Sequence, residues 1–313
     1  MLNGNRGRRI KNISQKLDTI KIGMKTFKFN TIYIVESLYE DEEKTGRTLY
    51  NQLKPLEAKY NSLNIVFCDV HSRQEWDNWM SSILNDCDTN GVFPIIHLEI
   101  HGQEEGIGFT NGDFISVDDI NKQFRAINLA SECNLFITLG VCEGLYVLFG
   151  VRINESMPYC GAIGSFDDLW NKDIQLRYAD FYETFFQTFN VYEAYKSLMT
   201  ADTGYDPKYR YIPLDEIFYK CYLDYLQNGC TKDALKQRAI DSMPISKLPL
   251  NNRRDKRTFQ KKFIMQEKKT RYIEYKKAAE TFFAVKLFPE NRERFDIPNT
   301  FEELKEKCKS LIV

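Results

Sequence analysis

Five short apolar runs separated by stretches of helical periodicity constrain this chain more than any other feature of it. FNTIYIVES (29–37), NIVFCDV (64–70), FPIIHLEIHG (93–102), CNLFITLGVCEG (133–144) and MPYCGAIGS (157–165) each read as a strand. Between them, Leu49, Leu53 and Leu56 recur at helical spacing, Trp76, Met80 and Ile83 form one stripe, and Ser116 with Asp119 marks the start of a helix through Ile120, Phe124 and Ile127. Thr110-Asn111-Gly112-Asp113 predicts a tight hairpin, because Asn-Gly tolerates the positive φ angles of a type I′ turn. From Asp173 to Thr200 the pattern is helical, with Phe181, Phe185 and Phe189 on one stripe and Asn190 and Glu193 spaced as a capping box. Strand and helix in alternation predict an α/β fold around a mostly parallel central sheet.

The alternation stops near Gly204. IFYKCYLDYLQNG and RYIEYKKAAETFFAVKLF read as helices separated by the Pro-rich and basic SMPISKLPLNNRRDKR. The pattern therefore predicts a basic N-terminal lead-in over 1–28, one α/β domain over 29–204 and a helical C-terminal region over 205–313. At 313 residues and 43% hydrophobic, the chain can bury one sizeable core plus such an appendage. MLNGNRGRRIKNISQKL lacks the apolar segment of a secretory signal, and no run approaches the ~18 apolar residues of a membrane span. Eight cysteines without a CxxC pair fit a reducing compartment, so a cytoplasmic protein with no membrane partner is expected.

Two strand ends carry the chemistry. PIIHLEIHG closes on His101-Gly102, and LFITLGVCEG closes on Cys142 with Gly144 just beyond. Ligand sites in open parallel sheets form at the carboxyl ends of the strands. If these two strands are neighbours, their backbones lie about 5 Å apart, and imidazole and thiol can face one substrate carbonyl. Histidine would take the thiol proton and return it to the leaving amine. The amides of Gly102 and Cys142 are the candidate oxyanion donors, and Gly102 lets substrate approach the backbone closely. His97 on the same strand reads as a hydrogen-bonded core residue, and Glu99 as support for a neighbouring polar group. His97, Glu99 and His101 alternate along one strand and mimic a metal site, but HExxH zinc chemistry needs a helix, so no metal is assigned and no cofactor is required.

An apolar strand ending in His-Gly, a short hairpin, a helix, and a second apolar strand ending in Cys resemble the caspase-like cysteine peptidases, in particular the prokaryotic CHAT-domain branch. The 41 residues from His101 to Cys142 are close to the roughly 50 of caspases. YCGAIGS, the Phe/Tyr-rich helix and NVYEAYKSLMTA extend the resemblance, which covers about 29–204. It implies a three-layer caspase-like fold and a thiol protease with His101 and Cys142 catalytic, cleaving a partner protein in a prokaryotic defence or cell-death pathway. The caspase signature QACRG is replaced here by GVCEG, so cleavage after aspartate is not implied. Related enzymes build the wall of the P1 pocket near Glu143, Asp167 and Asp168, and an acidic wall favours Arg or Lys.

Residues 251–277 hold eleven Lys and Arg against Asp255, Glu267 and Glu274, interleaved with Phe259, Phe263, Tyr272 and Tyr275. Such a run is most often a solvated helix face. As a binding surface, a protein partner is the preferred reading and nucleic acid the second. The alternative to an endopeptidase is accordingly a non-catalytic caspase-like scaffold whose basic helical region binds protein or nucleic acid.

Overall fold

In-register pairing of the expected strands sorts their side chains into two faces. The computed structural model describes residues 20–22, 25–246, 248 and 251–310. Within the stretch expected as a lead-in, β1 (Ile20–Ile22) and β2 (Lys25–Phe27) form an antiparallel pair that the polar composition does not mark, and the rest of 1–24 lies outside the described residues. Then follow β3 (Thr31–Ser37), α1 (Thr45–Leu53), β4 (Asn64–Asp69), α2 (Arg73–Asn90), β5 (Pro94–Gln103), β6 (Gly106–Gly108), β7 (Phe114–Ser116), α3 (Val117–Ala130), β8 (Phe136–Leu139), β9 (Gly161–Ser165), α4 (Asn171–Thr188), α5 (Val191–Thr200) and β10 (Tyr209–Pro213). The main sheet has the order β10-β9-β8-β5-β3-β4, parallel throughout except for the antiparallel edge strand β10. The molecule is thus an α/β protein with a mostly parallel mixed sheet.

Ile32, Ile65, Ile95 and Phe136 are register partners and share one face, where they join a core with Leu49 and Leu53 of α1 and Phe181 and Phe185 of α4. Trp76, Met80 and Ile83 of α2 are buried, as their spacing predicts, and so are Ile120, Phe124 and Ile127 of α3. Both helix starts are capped: Ser116 Oγ accepts from Asp119 N–H at 3.3 Å, and Asn190 Oδ1 accepts from Glu193 N–H at 3.3 Å, although the return bond of a capping box is replaced by one from Asn190 N–H to Thr188 Oγ1 at 3.2 Å.

The hairpin between β6 and β7 forms, with a different turn. Gly112 N–H donates to Phe109 O at 2.9 Å, and Gly112 alone has a positive φ, 91°, whereas a type I′ turn needs it at Asn111 as well. Asn111 spends its side chain inside the loop instead, accepting from Asp113 N–H at 2.9 Å.

The chain divides into two compact units, 1–152 with 156–214, and 153–155 with 215–313. Loss of alternation near Gly204 places the boundary too early, because β10 still pairs with β9 in the first unit. The second unit is helical, with α6 (Leu214–Asp224), α7 (Lys232–Ser242), α8 (Arg253–Phe282), α9 (Asn291–Arg294) and α10 (Phe301–Ser310). Its core is aromatic: Phe218 packs on Phe282 with ring centroids 4.9 Å apart and on Phe283 at 5.1 Å. Among the described residues no helix is long and apolar enough to cross a membrane.

Candidate active site

On the face of the sheet covered by α1 and α4, the rungs change character towards the carboxyl ends of the strands. Ile32, Ile95 and Phe136 are followed by Ile34, His97 and Thr138, and then by Glu36 and Glu99, with Gly140 continuing β8. Gly140 N–H donates to Leu98 O at 2.8 Å, so the β5–β8 register runs past the last strand residue. The paired ladder ends at Leu98 and Leu139; beyond it His101 pairs with Gly108 of β6, and Cys142 lies in the turn that follows β8, beside the end of β5. Contact at Gly102 agrees with this: a Cβ there would lie 2.3 Å from Cys142 O and 2.4 Å from Val141 Cγ1. Gly102 is therefore required for the two strand ends to touch.

Beneath these strand ends lies a buried polar network. His97 Nδ1 is 2.8 Å from Thr138 Oγ1, and its Nε2 is 2.9 Å from Glu99 Oε1. Tyr178 of α4 stands edge-on to the His97 ring at 4.6 Å. Thr45 Oγ1, at the start of α1, donates to Glu99 Oε2 at 2.9 Å, and Glu36 accepts the Arg47 N–H at 3.0 Å. His97 and Glu99 thus occupy the supporting places their sequence positions suggest. Burial holds the Glu36 carboxyl above the usual carboxylate range; the Arg47 N–H opposes this and the charge of Glu99 adds to it.

His101 is exposed, and its partner is a residue the sequence pattern does not single out. Nε2 lies 2.9 Å from Glu42 Oε2, in the turn after β3, and the Tyr39 ring packs 5.5 Å away. Glu42 is itself held, since the same oxygen accepts the Tyr39 N–H at 2.6 Å, while Lys44 Nζ donates to Tyr39 O at 2.6 Å. A carboxylate only accepts, so Nε2 is the donor in this contact, which leaves Nδ1 as the acceptor of the neutral ring.

Cys142 is half-buried and turned towards the loop after β9. Its Sγ accepts the Leu169 N–H at 3.3 Å, and the Leu169 carbonyl lies 3.7 Å away. Burial pushes the thiol above its ordinary range; the Leu169 N–H and Lys208 work against this, while Asp168 and Glu143 add to it. Its amide has no backbone acceptor among the described residues. Glu143 follows with φ 56°, a left-handed conformation that costs a non-glycine residue about 1–2 kcal/mol. The imidazole and the thiol are held by different loops, one on the β3 side and one on the β9 side.

The three acids expected near the cysteine take different roles. Glu143 is half-buried and donates its N–H to Asp167 O at 3.1 Å, so Asp167 anchors the cysteine loop through its backbone while its side chain is exposed. Asp168 is also exposed, and its carbonyl accepts from Lys208 Nζ at 3.2 Å. The Tyr146 phenol is pushed up, chiefly by its hydrogen bond to Glu104, with the charges of Glu143 and Asp167 contributing. Exposed aromatic side chains flank the same loops: Trp170 stacks on Tyr205 at 6.0 Å, and Phe166 meets Tyr146 edge-on at 5.4 Å. Sequence reasoning missed these aromatics and Glu42, because nothing local distinguishes them from other loop residues. On the opposite face, Leu98, Ile107, Ile120, Leu139 and Val141 line a small apolar cleft that adjoins the cysteine loop at Glu143 and Gly144.

No protein-family model matches this chain, and no curated protein matches it either.

Proposed function

We propose that this chain is a caspase-like cysteine endopeptidase, with the α/β unit as a three-layer caspase-like catalytic domain, His101 and Cys142 as the dyad and a protein as substrate. The observation that supports it most is the close approach of the end of β5 to the turn after β8, where a Cβ on Gly102, the residue after His101, would lie 2.3 Å from Cys142 O, at the carboxyl ends of two adjacent parallel strands.

With its pKa raised, the thiol is protonated at rest, so activation falls to the imidazole as substrate binds. Nδ1 of His101 takes the thiol proton while Sγ forms a bond to the scissile carbonyl carbon. The oxyanion that develops is stabilised by the Cys142 and Gly102 amides. Collapse breaks the C–N bond, and the proton on Nδ1 goes to the departing amine. Water, deprotonated by the same nitrogen, then hydrolyses the thioester and returns the thiol. Glu42 holds Nε2 and stabilises the imidazolium. Glu143, Asp167 and Asp168 give the site a negative field that favours Arg or Lys at P1. Activation of a partner protein in prokaryotic defence, in the cytoplasm, is the biological setting the resemblance suggests.

The test is cleavage of a peptide library by the wild type, Cys142→Ala and His101→Ala, with circular dichroism to show that each variant folds. Both substitutions are expected to abolish turnover, and retained cleavage by the cysteine variant would end the reading. A second reading, a non-catalytic scaffold, is favoured by the separate engagement of the imidazole by Glu42 and of the thiol by Leu169. It predicts no cleavage by the wild type and no labelling of Cys142 by a peptidyl acyloxymethyl ketone.

A further inference from the structure

α8 holds eleven Lys and Arg against four Asp and Glu, a net of +7 in a chain whose whole net charge is −1. Arg254, Arg257, Lys261 and Lys268 recur at helical spacing on one side, flanked by Lys262 and Lys269, and all six are exposed. Three of the four acids are paired: Glu267 with Arg238 at 2.9 Å, Glu274 with Lys277 at 3.2 Å and Glu280 with Arg292 at 3.3 Å, while Asp255 lies in the first turn. Among the described residues no ion pair neutralises these six side chains, over a rise of about 22 Å.

What covers such a face follows from what the face lacks. A helix lying in a membrane surface needs a broad apolar side, and Met265 is the one exposed large apolar residue between Arg254 and Lys269. Protein interfaces are depleted in lysine, which costs much to desolvate and immobilise. Binders of single strands stack bases on exposed aromatic rings, whereas Phe259 and Phe263 are half-buried, pack on each other at 6.1 Å and lie on the other side of the helix. A straight row of cations about 22 Å long matches about six phosphates along one strand of a rigid duplex. We propose that this face of α8 binds the phosphate backbone of duplex nucleic acid by charge, without reading base sequence. The proposal goes beyond the peptidase reading and does not depend on it.

The test is fluorescence anisotropy of the full-length protein with labelled 20-base-pair DNA and RNA duplexes of unrelated sequence, a 20-nucleotide single strand, and poly-glutamate. The expected result is micromolar or tighter binding to a duplex at about 50 mM salt, with the same affinity across sequences. The slope of log affinity against log salt should be about −4 or steeper, since each contacted phosphate contributes about −0.9. Arg257→Glu/Lys261→Glu/Lys268→Glu should weaken binding at least about 30-fold with the circular dichroism spectrum and melting temperature unchanged. The milder Lys261→Gln/Lys268→Gln should make the salt slope about two units shallower. Absence of duplex binding at low salt overturns the proposal. So does undiminished binding by the charge-reversed protein, or binding of single strand or poly-glutamate as tight as that of the duplex.

Discussion

His101 Nε2 and Glu42 Oε2 stand 2.9 Å apart across 59 residues of sequence, and that contact joins the end of β5 to the turn that follows β3. In the proposed peptidase Glu42 would be a positioning residue, acting through the imidazole. Glu42→Gln is expected to lower kcat on the order of 10-fold to 100-fold with KM little changed, because the amide stabilises an imidazolium less. Imidazole 15N spectra should show the fraction with Nε2 protonated falling in the variant. An unchanged spectrum together with unchanged kcat would remove Glu42 from the site.

Alkylation of Cys142 by iodoacetamide should be slow at neutral pH and rise roughly tenfold per pH unit until the raised thiol pKa is passed. The sign follows from burial, which disfavours the thiolate. Asp168→Asn removes a nearby negative charge and should speed alkylation about 2-fold, while Lys208→Ala should slow it by a similar factor; both residues are exposed, so the effects are small. Reversed signs would mean that the thiol answers to other charges.

Gly102→Ala should be damaging although the change is one methyl group. Its Cβ would meet the Cys142 carbonyl, which is backbone and cannot rotate away. A loss of about 1–3 kcal/mol is expected in urea titrations, with loss of Cys142 labelling beyond what the stability change explains. Wild-type stability in this variant would show that the strand ends are free to separate.

Glu36→Gln should alter the pH dependence of stability. The folded-state pKa of Glu36 is raised, so its favourable contribution is fully present below the ordinary carboxylate pKa and is lost as pH rises through the folded value. The melting temperature of the wild type minus that of Glu36→Gln should therefore fall as pH rises above the ordinary carboxylate range. A difference that grows over this range would contradict the raised pKa.

Much of this was legible before any coordinates. Trp76, Met80 and Ile83 share a stripe because helical spacing is a local property, and the cap at Ser116 depends on residues three apart. The same is true of the apolar runs that end at His101 and near Cys142. The turn at Asn111-Gly112 was legible as a turn but not in its type, since the loop closes between Phe109 and Gly112 and places only the glycine at positive φ. β10 was not legible at all: TyrArgTyrIlePro is short, and it forms a strand because the edge of β9 is open to it. Glu42 reads as one of four acidic residues in a row of loop, and Leu169 as an apolar loop residue.

The sequence by itself determined most of the strands and helices, β1, β2 and β10 excepted, and that a histidine-glycine and a cysteine fall where two apolar runs end, because periodicity and turn chemistry act over a few residues. The order of the strands belonged to the tertiary structure. Placing β8 beside β5 and β5 beside β3 requires helical crossovers to pack against the sheet, and that packing sums contacts between residues far apart in the chain. Only through it does Gly102 meet the Cys142 backbone, Glu42 reach the imidazole and the Leu169 amide reach the sulfur.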